Sequence, residues 1–286
     1  MVEVAGLVDE LVAFEFGWPG RGSRFAEHLA GWLTTTWGVE VMAGALPFTG
    51  HVSIMDRLDP WYRDLAPRLV TGVGPLTHSD GESYQVRFQD GGRAVYRPNL
   101  PDFMHAPQVP AYGTAPREIA AARLDRMLRF NLVPPTVPYT GHRGPGSLAL
   151  WVPDASLVRP LSGYQRVDQE RLAVLDYVMA NLARGNGLGM RTADGRPVAV
   201  GNRYTFPQWE DSPISSSAVY RYLGRELGPE VMREVRTTSV EQVGMVLRGT
   251  NIAERAVFGA MQRLQEVRDR GGITGEAWSG AILDPP

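Results

Sequence analysis

The chain contains no cysteine and no lysine, so all 29 of its basic residues are arginine. Without cysteine there is no disulfide framework, no thiolate zinc site and no thiol nucleophile. Without lysine there is no Schiff-base chemistry and no ammonium to anchor nucleotide phosphates. An excess of charge of either sign is lacking as well, with 29 basic residues against 31 acidic. A formal net charge of −2 gives no long-range pull toward nucleic acid or anionic lipid. Apolar runs are short: Leu148 to Val152 is among the longest, against the ~20 residues a membrane helix needs. Met1 to Gly6 carries no basic leader. These absences lead us to expect a cytoplasmic protein with no membrane and no nucleic-acid partner.

What remains is ordinary globular material. The 286 residues, 43% hydrophobic and 21% charged, suit one large domain or two lobes sharing a cleft. The first 70 residues read as helical pieces, with Val8, Leu11, Val12 and Phe14 on one face and Phe25, Leu29, Trp32 and Leu33 repeating the spacing. From Val70 the pattern changes. Tyr84 and Val86 alternate with Arg87 and Gln89, Asp90-Gly91-Gly92 turns, and Arg93 to Arg97 runs extended, which is a hairpin signal. Arg117 to Phe130 shows a helical core stripe of Ile119, Ala122, Leu124, Met127 and Leu128. Pro134, Pro135 and Pro138 impose an extended stretch, and Leu148 to Val152 reads as a buried strand. Val167 to Leu182 is a second strong helix, followed by a turn and the strand-like Pro197 to Val200. After Pro213 the chain reads as helices only, over 218–227, 229–236, 240–248 and 252–270.

In this order the segments carry recognisable motifs: Ala94-Val95-Tyr96-Arg97-Pro98, Arg117-Glu118, Val133-Pro134-Pro135-Thr136, Gly146 to Val152, Asp176-Tyr177 and Gly195 to Val200. Together they resemble the bacterial phosphatidylinositol 3-/4-kinase-like family, relatives of protein kinases, over about Thr71 to Gly272. The resemblance implies a bilobal α+β protein-kinase-like fold. It assigns 71–160 to a small antiparallel-sheet lobe and 161–286 to a helical lobe. Residues 1–70 carry no comparable match, and their spacing leads us to expect extra N-terminal helices packed on the sheet lobe.

The resemblance also marks what is missing. Arg97 stands where the family's ATP-holding lysine should be, and Glu118 matches that lysine's partner. A planar guanidinium does not replace an ammonium without shifting the geometry. The catalytic aspartate falls at Ala183, its histidine neighbour at Gly185, and the two magnesium ligands at Leu188 and Gly201. Alanine, leucine and glycine side chains can neither ligate Mg²⁺ nor take a proton. His78 lies in the segment matching the phosphate-covering loop, where Asp80 and Glu82 would repel phosphates. We therefore expect no metal site and no cofactor.

Two readings follow. In the first the chain is a pseudokinase, its cleft kept for a small molecule or a protein partner. In the second the vacated ATP cleft is a metal-independent cyclase, isomerase or lyase of specialised metabolism acting on an apolar organic substrate. The all-arginine usage fits a high-GC, actinobacterial genome, which is an association and not physics. Arg97, Glu118, Asn181, Arg184, Asn186, Asn202, His78 and Trp151 are the candidate cleft residues. The hinge strand Leu148 to Val152 could still offer backbone groups to an adenine-like ring. Other signals read as structural. The remaining histidines show no ligand spacing, Gly185 to Gly189 is a helix-to-strand turn, and most of the seven tryptophans pack the core.

Overall fold

The computed structural model describes residues 59–76, 83–99, 113–158, 161–184, 189–207 and 212–285. The chain divides into two compact units, 1–67 and 68–286. Of the first, one short helix is described, α1 (Pro60–Leu65), with Asp59 capping it by accepting from Trp61 N at 2.8 Å. The helices expected before it lie outside the described residues.

The second unit begins with a five-stranded antiparallel sheet: β1 (Val70–Pro75), β2 (Tyr84–Phe88), β3 (Arg93–Pro98), β4 (Thr136–Gly141) and β5 (Gly144–Leu150), in the order β1-β2-β3-β5-β4. The β2–β3 hairpin forms where the alternation placed it. Its turn is closed by Gly92 N donating to the Asp90 carboxylate at 2.8 Å, with Gly91 at φ 83°. The prolines at 134–138 do impose extended backbone, and part of it becomes β4, whose hairpin with β5 extends the sheet beyond the strand expected at 148–152. On β3, Tyr96 is fully buried and accepts neighbours only glycine permits. A Cβ on Gly146 would lie 2.2 Å from the Arg97 carbonyl, and one on Gly141 would lie 2.6 Å from the Tyr96 ring.

Helix α2 (Ala115–Leu128) starts on Pro116 with Ala115 N donating to Asn99 Oδ1, and ends at Arg129 in the left-handed region, φ 61°. It is not the amphipathic helix the stripe suggested. Ala120, Ala121, Leu124 and Leu128 are sealed, and so are Arg117, Glu118 and Arg123, because the helix is packed on more than one side. Arg123 Nη1, for example, donates to the Gly249 carbonyl. Beyond the helix, Asp125 accepts from Leu132 N and Val133 N at 3.0–3.1 Å and fixes the path into β4.

The helical part contains α3 (Arg166–Val178), α4 (Ser217–Tyr222), α5 (Pro229–Thr237), α6 (Val240–Arg248) and α7 (Glu254–Arg270). α3 stops four residues before the sequence suggests: Ala180 takes φ 47°, and Asn181 turns its side chain back to Asp176. The three short strands β6 (Ser156–Val158), β7 (Gly189–Arg191) and β8 (Pro197–Ala199) form an antiparallel sheet. The all-helix reading after Pro213 is corrected by β9 (Ile214–Ser215) and β10 (Ile282–Leu283), which pair in parallel. Two-residue strands carry too little periodicity to show in a sequence. α3 and α7 are tied through Tyr177 Oη, which donates to Glu266 Oε2 at 2.6 Å, and through the buried Arg263, which donates to the Val178 carbonyl. Among the described residues, no helix is long and apolar enough to cross a membrane.

Candidate functional site

Alternation along β3 and β5 sends Val95, Arg97, Ser147 and Ala149 to one face of the sheet, because Val95 pairs with Ala149 and Arg97 with Ser147. Arg97 Nη1 lies 3.3 Å from Glu118 Oε1, and its Nε donates to Ser83 Oγ at 3.1 Å. Glu118 Oε2 accepts the Ser147 hydroxyl at 2.6 Å. The buried carboxylate of α2 is thus held by a cation and a hydroxyl, as a sheltered charge must be. The pair expected between Arg97 and Glu118 is present.

Beside it a cavity of about 220 Å³ opens between the five-stranded and three-stranded sheets. Leu76, Val95 and Ala149 form one wall, and Met190, Val198 and Val200 face them. Pro134 and the connection Leu150-Trp151-Val152 close the back. Trp151 N donates to the Arg93 carbonyl at 3.1 Å, which fixes that connection to the sheet. Arg97 is the one charged residue among those lining the cavity.

Below β8 lies a second polar cluster, centred on Asp176, which is fully buried. Its Oδ1 accepts from Arg184 Nη2 and Nε, both at 3.1 Å, and from Asn181 Nδ2 at 3.0 Å. Its Oδ2 accepts from Ser216 Oγ at 2.8 Å. Arg184 also donates to the Val200 carbonyl and to Asn202 Oδ1, and Asn202 Nδ2 donates to the Ala199 carbonyl at 3.0 Å. Arg184, Asn181 and Asn202 therefore commit these polar atoms to joining the loop after α3 to the end of β8 and the start of α4. Ala183, half-buried, is held in this loop by its N–H donating to Asn181 Oδ1. Gly201 sits just past β8 with φ 74°, and a Cβ built on it meets nothing within 4 Å. The backbone there is in the left-handed region that favours glycine, so the conformation itself disfavours a metal-ligating side chain at this position.

His78, Asn186 and Leu188 lie outside the described residues, as do Asp80 and Glu82. Of the other candidates, the structure brings Arg97 and Trp151 to the cavity, with Glu118 behind Arg97. It gathers Asn181, Arg184 and Asn202 around Asp176. Sequence reasoning passed over Asp176 as part of a motif and missed Ser216 and Ser147. A carboxylate inside Val174-Leu175-Asp176-Tyr177-Val178 was the available signal, since a charge so placed requires partners. Among the described residues no cluster of three or more His, Asp or Glu side chains is placed to hold a metal ion.

No protein-family model matches the chain, and no curated protein matches its sequence. Solved structures do match it. The Golgi casein kinase with Mn/ADP bound is similar with a TM-score of 0.56 at 13% identity, over 73% of this chain and 74% of its own. A second structure of the Golgi casein kinase gives 0.54 at 14% identity over the same shares. The fold is protein-kinase-like. A Helicobacter pylori proinflammatory kinase also matches, over 73% of this chain and 94% of its own, at 9% identity and a TM-score of 0.46. In the kinase-like frame the cavity lies between the five-stranded and the three-stranded sheets, beside the Arg97–Glu118 pair. Identities this low carry the fold and nothing finer, so the bacterial phosphatidylinositol kinase-like resemblance rests on the motifs alone.

Proposed function

We propose that the chain is a pseudokinase whose cleft binds a flat, largely apolar molecule without transferring a phosphoryl group. One observation carries this reading: the kinase-like fold keeps its apolar cavity and its Arg97–Glu118 pair, while the positions matched to the catalytic and metal-binding acids are Ala183 and an open Gly201. Phosphoryl transfer depends on positioning and on cations that neutralise the phosphate oxygens. Among the described residues, those matched to a kinase's magnesium ligands do not fit such an ion. Gly201 and Ala183 offer no side-chain oxygen, and the nearby Asp176 is already bonded by Arg184, Asn181 and Ser216. No step through a metal is derived.

Arg97 supports the same reading. Its Nε and Nη1 are held by Ser83 and Glu118, and it lines the otherwise apolar slot as a planar fork where the resembled kinases carry a lysine's point charge. A slot of about 220 Å³ with such walls suits a nucleobase-sized or similar planar ring. The metal-free enzyme reading would need an acid or base facing that slot, and Glu118, ion-paired and hydrogen-bonded, is the closest group to one. The test is a transfer assay with radiolabelled ATP and Mg²⁺ or Mn²⁺, using casein and the chain itself as acceptors. No incorporation above a heat-denatured control is expected. Metal-dependent labelling that grows with enzyme concentration would overturn the proposal.

A further inference from the structure

A second cavity, of about 470 Å³, opens on the helical part away from the cleft lining, between residues 161–162, helix α4 and the segment 223–225. Arg221 and Arg225 both line it, and neither makes an ion pair or a side-chain hydrogen bond among the described residues. Several other arginines of the unit are matched. Arg171 serves Glu234, Glu230 and Asp168, Arg248 serves Glu254, and Arg270 serves Glu276. Two guanidiniums with no ion pair among the described residues thus line one cavity, and each carries the planar fork of donors that suits a phosphate's oxygens.

The rest of the lining narrows the ligand. Asp284 faces the same cavity, and a carboxylate there would repel a bare phosphate dianion. It would accept hydrogen bonds from hydroxyl groups set some distance from the phosphate. Tyr220, 52% exposed, and Leu223 supply an apolar wall against which the C–H face of a ring can lie. Ser162 adds a hydroxyl at the rim. We infer that this cavity is a binding site for a phosphorylated sugar or polyol: phosphate on Arg221 and Arg225, hydroxyls on Asp284, ring on Tyr220. The site stands independently of the cleft. Helix α4, which lines the site, starts from Ser216, whose hydroxyl donates to Asp176 and whose backbone bridges to Arg184.

Calorimetric titration of the full chain tests this with glucose 1-phosphate, inorganic phosphate and glucose as separate probes. Glucose 1-phosphate should give a saturable isotherm, inorganic phosphate should bind about tenfold more weakly, and glucose alone should not bind. R221A/R225A should lose at least about tenfold in affinity for both phosphates, since each charge-assisted bond is worth about that factor or more. D284N should weaken glucose 1-phosphate and leave inorganic phosphate unchanged or tighter. These side chains are exposed, so unchanged melting temperatures should show the variants folded. R221K/R225K, which keeps the charge and loses the fork, should bind at an intermediate level. The inference is overturned if glucose 1-phosphate fails to saturate the wild type, if R221A/R225A binds it as well as wild type, or if inorganic phosphate binds equally tightly.

Discussion

Arg184 Nη2 lies 3.1 Å from Asp176 Oδ1, and the two side chains are only 5% and 0% exposed. The pair does more than neutralise itself. Through the Val200 carbonyl and Asn202 the same guanidinium fixes the backbone on both sides of Gly201, where the family resemblance expects a metal ligand. On the proposed pseudokinase reading, this built-in cation organises a place that a bound metal would organise in an active kinase.

Breaking this pair should be costly. Arg184→Ala leaves a buried carboxylate with only Asn181 and Ser216 as partners, a loss of about 3–5 kcal/mol. Urea denaturation should show a lower midpoint at an unchanged slope. A loss under about 1 kcal/mol would mean that the cluster does not hold the loop.

The apolar cavity can be filled from its wall. Ala149 faces Val95 across β3–β5, and Ala149→Phe should occupy much of the 220 Å³. Binding of a flat ligand such as adenosine, followed by calorimetry, should be abolished while the melting temperature stays within a few degrees of wild type. Undiminished adenosine binding in a folded Ala149→Phe variant would place the ligand elsewhere.

The fold was legible in the sequence where periodicity is long and punctuated. The β2–β3 hairpin, α2 and α6 fall within two residues of the expected bounds, and β3 with α2 brings Arg97 to Glu118. The short pairings were not legible. β7 and β9 take their conformation from partners distant in the chain, as when Arg184 N donates to the Ser215 carbonyl. The candidate site was half legible for the same reason. Residue types named Arg184, Asn181 and Asn202, but only the tertiary arrangement reveals that Asp176 binds Asn181 and Arg184 directly and reaches Asn202 through Arg184.

Stability should also depend on pH through Asp125. Complete burial pushes its carboxyl up to about 7, against the lowering effect of the Leu132 and Val133 N–H groups. The folded state therefore holds a proton that the unfolded chain releases near its ordinary value of 3.8. Since the folded pKa is the higher one, this group's contribution is fully present below the unfolded value and is lost as pH rises toward about 7. Denaturation midpoints measured from pH 4 to 8 should carry this downward component, and Asp125→Asn should remove it. Identical pH slopes in the two proteins would show that Asp125 is ionised throughout.

The most direct measurement for the central claim is a melting curve taken with adenosine, with ATP plus chelator, and with ATP plus Mg²⁺. A ligand at a hundredfold its Kd stabilises by about 2.7 kcal/mol, a shift of several degrees for a domain of this size. The account predicts that adenosine raises the melting temperature and that Mg²⁺ adds nothing to whatever ATP does alone, because Ala183 and Gly201 offer the ion no side-chain oxygen. A rise of several degrees with Mg-ATP that disappears on chelation would contradict it.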